Sequence, residues 1–264
     1  MFLVSAVVVL FALASPTSSS STVAWRKIFT LTGQPQVRVA SNNVEVRVFA
    51  SDRKDIEAVL YTDRTISLGA VIDHESSNRV ELDVKIPNQW DSGFNHKSAV
   101  LELKTPLGCD LEVDSGSGSI LAKGTEGKVT LRTENGNIEA LGISGTLDVE
   151  SGHGDLQVNG TLTAVGLHTR TGNIAARIDA GSKMNSTWLV RTGDGNVDLR
   201  LPENFSTDLD VQSGNGDVRL DFPMAMIGGG RQSSVRGPIN GGGQRLEVHS
   251  DKGNIMVGKI GGSA

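Results

Sequence analysis

One feature constrains this chain more than any other: a short unit recurs every 18 residues through its second half. A glycine near the centre of each unit marks the repeat, and successive glycines are 18, 18, 18, 23, 21 and 37 residues apart. Self-similarity at a fixed period is the signature of repeat architectures in which each unit packs on its neighbours. The glycines are Gly118, Gly136, Gly154, Gly172, Gly195, Gly216 and Gly253.

Each unit has a simple physical interpretation. In Leu111–Ala122 apolar and polar residues alternate on both sides of Gly118, which is the pattern of a β-strand with one buried face. The central glycine predicts a tight corner, where it accepts a backbone conformation that other residues resist. Because equivalent positions recur with the same chain direction, the units predict a parallel stack. The expected fold is all-β, a single-stranded parallel β-helix or β-solenoid with coils of about 18 residues.

The predicted columns support this stacking. Three inward columns are wholly apolar, and the middle one reads Val113, Leu131, Val149, Leu167, Val190, Val211 and Val248. A fourth column is purely hydroxyl, and we expect it to hydrogen-bond at the corner: Ser115, Thr133, Ser151, Thr169, Thr192, Ser213 and Ser250. The residue after the glycine is Asn or Asp in every unit except the first, which has Ser119. This recurrence predicts a second ladder of hydrogen bonds along the corner. On the outer side, Asp114, Arg132 and Glu150 alternate in charge, as neighbouring strands favour.

The rest of the chain divides into four further regions. Residues 1–14 form an apolar run ending in a small-x-small pattern, which predicts a signal peptide, and residues 15–24 form a Ser/Thr-rich linker. Residues 25–108 lack the repeat and predict an irregular β cap at the N-terminal end of the solenoid, which occupies 109–264. Residues 221–245 interrupt the repeats with a glycine-rich excursion, which is expected to be either a disordered segment or lateral flap, or a binding loop. The predicted location is therefore extracytoplasmic: periplasmic, cell-surface or secreted.

Several kinds of site are disfavoured by composition. The net charge of −5 argues against a nucleic-acid partner, and the single cysteine, Cys109, excludes an internal disulfide or a cysteine-based metal site. The five histidines show no metal-ligand spacing, and Asp155 and Asp217 stand at a repeated corner position rather than in a catalytic pair. We therefore expect no catalytic, metal or cofactor site and no enzymatic activity.

The units of the form Ser/Thr-Gly-x-Gly-Asp/Asn-Ile, and the segment 238–243 that leads into 246–255, resemble the bacterial DUF4097 β-strand-repeat proteins. The resemblance covers about residues 30–260. It implies a β-helix-like fold, a place in the cell envelope and an adhesin role, and it brings no catalytic residues with it.

The expected function is accordingly that of an exported adhesin or envelope structural protein. Its partner would be an envelope protein or a surface polymer, and the mature chain has no apolar run long enough to cross a membrane. Two alternatives remain open: a carbohydrate-active enzyme on a β-helix, and an envelope-stress accessory domain that binds a membrane sensor.

Overall fold

The computed structural model describes residues 22–62, 70–86, 99–223 and 233–260, and every regular element in these ranges is a β-strand. The predicted signal peptide lies outside the described residues, whereas the last three residues of the predicted linker already belong to the first strand. The strands are β1 (Thr22–Thr30), β2 (Gln36–Ser51), β3 (Asp55–Thr62), β4 (Val71–Glu75), β5 (Arg79–Val84), β6 (Ala99–Pro106), β7 (Asp110–Ser117), β8 (Ile120–Lys123), β9 (Glu126–Asn135), β10 (Ile138–His153), β11 (Leu156–Thr171), β12 (Ile174–Ile178), β13 (Trp188–Asp194), β14 (Val197–Leu201), β15 (Thr207–Asn215), β16 (Val218–Leu220), β17 (Ser234–Ile239), β18 (Arg245–Lys252) and β19 (Ile255–Lys259).

The strands wind into coils that stack in parallel, which confirms the predicted β-solenoid. Each coil contributes one segment on either side of its corner glycine, and these segments pair into two long faces of one continuous sheet, which we call sheet A and sheet B. Sheet A contains, in spatial order, β5, residues 36–41 of β2, β7, residues 129–135 of β9, 147–153 of β10, 165–171 of β11, β13, β18 and β15. Sheet B contains β6, residues 44–51 of β2, β8, 138–141 of β10, 156–160 of β11, β12, β14, β19 and β16.

The interior between the two sheets is filled by the predicted apolar columns. Val149 pairs with Leu131 on one side and Leu167 on the other, and all three side chains are buried. The one large aromatic of the columns, Trp188, is also buried, and its ring packs against Phe205 with the ring centroids 5.4 Å apart. Burying a side chain of the size of Val or Leu stabilises by about 1.5–3 kcal/mol, so the columns supply the main driving force for stacking.

The spatial order of the coils differs from their chain order at the C-terminal end. The last coil of the chain, β18 and β19, lies between the β13–β14 coil and the β15–β16 coil. Leu246 therefore separates Trp188 from Leu209, whereas the columns in chain order place Leu209 directly after Trp188. Both coils carry the same residue types at the same positions, so the pattern alone does not distinguish the two orders.

The region 25–108 is more regular than the predicted irregular cap. It contains a full coil, β2, whose two halves pair in parallel with β7 and β8 on one side and with β5 and β6 on the other. This coil does not show the 18-residue spacing because the coils beside it in space are not adjacent to it in the chain. Antiparallel strands cap this end of the stack. β4 pairs with β5, β3 pairs with β6, and β1 pairs with the outer edge of β3.

Both ends of the stack carry features that oppose edge-to-edge association. At the N-terminal end Lys27 points inward, forms an ion pair with Asp73 and lies 4.8 Å from the ring centroid of Phe29. At the other end β17, part of the glycine-rich excursion 221–245, pairs antiparallel with β15 and carries Pro238, which has no backbone N–H. Inward charges and edge prolines are devices that block further strand pairing. Residues 224–232 of the excursion lie outside the described residues.

Candidate interaction surface

The seven corner glycines lie in one column, each against the backbone of the coil beside it. A Cβ added to Gly154 would stand 2.0 Å from the carbonyl oxygen of Gly136, closer than any side-chain carbon can approach. Gly154 also has a φ of +157°, but Gly195 and Gly216 are not left-handed and show the same close approach, 2.0 Å from Gly172 O and 2.2 Å from Gly253 O. Close packing of coils, more than backbone conformation, is what requires glycine at this column.

The hydroxyl column holds these corners together. Thr169 Oγ1 donates to the carbonyl oxygen of Gly154 at 3.0 Å, and Thr133, Ser151, Thr192, Ser250 and Ser213 bond to the neighbouring glycine in the same way. Ser115 differs: its hydroxyl is buried and has no hydrogen-bond partner among the described residues. The coil beside it is β2, whose corner position is occupied by Val44 in place of a glycine.

A second ladder runs along the outside of the same corner. Each of five side-chain oxygens accepts the backbone N–H of the equivalent residue one coil further along the stack, at 2.7–2.9 Å: those of Asn137, Asp155, Asn173, Asn196 and Asn254. Asp155 is one of these acceptors, and the N–H of Asp217 donates to Asn254. These two aspartates, which the sequence placed at a repeated corner position rather than in a catalytic pair, therefore take part in a repeated structural contact.

The outer surface of sheet A carries the one charge cluster that sequence periodicity pointed to. Arg132 lies at its centre, and its guanidinium is 3.9 Å from Asp114, 2.9 Å from Asp148 and 3.6 Å from Glu150. Two coils from Arg132, on β2, Arg38 stands 4.0 Å from the same Asp114. These side chains are partly exposed, and each such ion pair contributes only about 0–1 kcal/mol to stability. They place groups of opposite charge next to one another across neighbouring coils.

Two depressions flank Arg132, and both include it in their lining. One has a volume of 530 Å³, and its lining intermixes cations and anions: Arg38, Arg79, Lys128, Arg132, Asp110, Glu112 and Asp148. The other, of 430 Å³, extends from Ala40 and Asp114 to His168 and Arg170. The two depressions adjoin at Arg132 and together span six coils, from Arg79 on β5 to Arg170 on β11, and we call this surface the sheet A groove.

Small residues shape this groove. Gly152 lies on the coil between Glu134 and Arg170, and because it has no side chain these two residues reach across it to a separation of 3.5 Å. Gly166 likewise leaves room for the carboxylate of Asp148, which would stand 2.7 Å from an added Cβ. Sequence reasoning identified the Asp114–Arg132–Glu150 column and missed the contribution of these glycines, although their positions opposite long charged residues are a readable signal.

A third depression lies on the side of the solenoid that joins sheet B back to sheet A. It has a volume of about 440 Å³ and is lined by the loops that lengthen the later repeats. Its lining includes Lys183, Met184, Phe205 and Gln244. The longer steps between Gly172, Gly195 and Gly216 therefore correspond to loops that enclose a surface hollow.

The cysteine and the histidines, which are the other candidate reactive or metal-binding residues, lie outside the sheet A groove or form no ligand cluster among the described residues. Cys109 is buried, and burial, followed by the charge of Asp110, raises the pKa of its thiol to about 12. His249 lies 2.7 Å from Asp251, and His96 lies outside the described residues. Among the described residues no three His, Cys, Asp or Glu side chains come together as metal ligands. No helix long and apolar enough to cross a membrane occurs in the described part of the chain.

Comparisons with known proteins agree on the type of chain. The family model described as Toastrack DUF4097 matches residues 35–258. No curated protein matches the sequence. A solved structure of a candidate cell adhesion protein from Clostridium sporogenes is 11% identical, with 89% of this chain and 99% of that chain covered and a TM-score of 0.44. A candidate adhesin from Bacteroides fragilis is 14% identical, with coverage of 89% and 96% and a TM-score of 0.42. A candidate lipid binding protein from Parabacteroides distasonis is 10% identical, with the same coverage and a TM-score of 0.35.

Proposed function

This chain belongs to the Toastrack DUF4097 family, and we propose that it is a non-enzymatic adhesin-like module that binds a partner through the sheet A groove. The partner class that we propose is an envelope protein or a surface polymer. The observation that carries the proposal is the groove itself, in which charged side chains from six coils surround Arg132.

The physical support comes from backbone rigidity and charge arrangement. Parallel ladders fix the backbone under the groove, so the backbone has little conformational freedom to lose on binding. Cations and anions alternate from coil to coil, which favours a partner with a complementary pattern and disfavours others. Arg is also a residue type over-represented among those that dominate binding energies at interfaces.

The test is capture of a partner from an envelope extract by the mature chain, followed by affinity measurement with two matched variants. Arg132→Ala removes the centre of the groove. Arg177→Ala removes an exposed, ion-paired arginine from the outer surface of sheet B and serves as the control. We expect Arg132→Ala to weaken binding by at least about tenfold and Arg177→Ala to leave it within about twofold. Equal effects of the two variants, or no captured partner, would remove the support for the groove.

Export is part of the proposal and rests on the apolar run of residues 1–14. Cell fractionation and intact-mass measurement of the purified chain test it together. We expect the protein outside the cytoplasm with its N-terminus cleaved near Ala14, and an uncleaved cytoplasmic chain would refute this part.

The absence of enzymatic activity is likewise proposed, and a panel of uronic-acid and neutral polysaccharides tests it. Three carboxylates of the groove, Asp114, Asp148 and Glu150, all face the same guanidinium, which fits a surface built for binding. Measurable turnover on any of these polymers that is lost in Asp148→Asn would replace the adhesin proposal with the carbohydrate-active alternative.

A further inference from the structure

The first and the last regular coils of the chain both lie inside the stack. At the C-terminal end, β18 pairs with β13 on one side and β15 on the other, and β19 pairs with β14 and β16. At the N-terminal end, β2 lies between the β5–β6 coil and the β7–β8 coil. We infer that these inserted coils are locks, which prevent the solenoid from unravelling from either end of its chain.

The contacts of the last coil show how the lock works at the C-terminal end. On its inner side, Ser250 donates to Gly195 O at 2.8 Å and the N–H of Asn254 donates to the side chain of Asn196 at 2.8 Å. On its outer side, Gly253 O accepts the hydroxyl of Ser213 at 2.9 Å. Releasing the last coil therefore breaks hydroxyl, amide and backbone ladders on two sides.

The outermost coil is secured in a different way. Residues 207–220 have no coil beyond them among the described residues, yet they lie in the middle of the chain and are tethered at both ends. On the sheet A side β17 covers them by pairing along β15. Asn240, which follows β17, donates its side-chain amide to the carbonyl oxygens of Glu203 and Phe205 at 2.7 and 2.9 Å, and so fastens the connection between β17 and β18.

The N-terminal end repeats this arrangement. Residues 36–41 of β2 contact β7 and β5, and residues 44–51 contact β8 and β6. The outermost coil there, β5 and β6, is again a mid-chain excursion, and β4 and β3 cover it. In an ordinary solenoid each end unit has one neighbour and opens first. Here the end units of the chain have two neighbours each, and this holds whatever partner the sheet A groove binds.

Hydrogen exchange on the full chain, with mass-spectrometric readout, tests the lock. We expect amides of residues 246–257 to exchange within about tenfold of those in the central residues 165–176, and amides of β16 and β17 to exchange at least about tenfold faster. Faster exchange at 246–257 than at 207–220 would overturn the inference, and this comparison needs only the unaltered protein.

Two glycine variants sharpen the test because their effects are asymmetric. In Gly253→Ala the new Cβ would stand 2.0 Å from Gly195 O, which separates the last coil from the stack. Exchange should then accelerate in both 246–257 and 207–220, since the outermost coil is held through the last one. In Gly216→Ala the clash is with Gly253 O at 2.2 Å, and exchange should accelerate in 207–220 and 234–239 while 246–257 stays within about twofold. If the coils stacked in chain order, Gly216→Ala would accelerate exchange in both 207–220 and 246–257, and Gly253→Ala would accelerate it in 246–257 alone. That result would refute the lock.

Discussion

Replacing Val149 by Asp is the sharpest test of the assignment of inward and outward residues. Val149 is 1% exposed and packs between Leu131 and Leu167 in the middle of the stack. Losing its apolar burial costs about 1.5–3 kcal/mol. Placing a carboxyl group there without a partner adds about 1–3 kcal/mol even when it is protonated. The sum, about 2.5–6 kcal/mol, is a large part of the roughly 5–15 kcal/mol that typically holds a domain folded.

The same variant makes a pH prediction. Burial disfavours the charged form, so the pKa of the introduced carboxyl is higher in the folded state than in the unfolded state. Its destabilising effect is therefore largest above the folded-state pKa and becomes smaller as the pH falls towards the unfolded-state value. Urea denaturation followed by circular dichroism, at neutral and at acidic pH, measures both quantities.

Glu150→Ala is the matched control because Glu150 is the next residue and points outward. Its contact with Arg132, at 3.6 Å between partly exposed groups, is worth under about 1 kcal/mol. If the two substitutions destabilise equally, the inward and outward columns have been assigned wrongly, and the coil geometry fails with them.

Three further predictions follow from single contacts. Thr169→Val keeps the shape of the side chain but removes its hydrogen bond to Gly154, and we expect a loss of about 1–2 kcal/mol in chemical denaturation, with no loss refuting a role for the hydroxyl ladder. Because burial raises the pKa of the Cys109 thiol to about 12, a thiol reagent should label it only on unfolding, and rapid labelling of the folded chain would contradict its burial. Burial alone would raise the pKa of Glu57, but the bond from Arg26 and the other nearby cations hold it below its usual range. The stability that this gives is present above the unfolded-state pKa and is lost as the pH falls through the folded-state value, so Glu57→Gln should flatten the acid side of a melting-temperature profile, and an unchanged profile would refute it.

Periodicity was sufficient to predict the solenoid and its ladders, because those depend on residue types that recur. The alternation around Gly154, for example, specifies which side chains point inward, and the family assignment made from the same repeats is confirmed by the match over residues 35–258. The hydroxyl at Thr169 was expected to bond at the corner, and the structure places it on the neighbouring glycine.

The order of the coils and the shape of the groove could not be read from the repeats. Ser213 and Ser250 are interchangeable in any pattern, so only the full set of contacts determines which lies next to Thr192. The β2 coil lacks the corner glycine and meets its neighbours across long stretches of chain, which hides it from a search at a fixed period. The contact between Glu134 and Arg170 joins residues two coils apart, beyond the nearest-neighbour pairs that columns indicate.

The spatial order of the C-terminal coils, on which the lock depends, is tested most directly by disulfide trapping. Arg191 pairs with His249, and His249 pairs with Gln212, so Arg191 and Gln212 are separated by a whole coil. Neighbouring strands lie about 4.8 Å apart and a disulfide needs Cα atoms within about 7 Å. Cysteines introduced in pairs at 191 and 249, or at 249 and 212, should therefore cross-link under mild oxidation, and a pair at 191 and 212 should not. Efficient cross-linking of the 191–212 pair, with none at 191–249, would show that the coils stack in chain order and would contradict the structure described above.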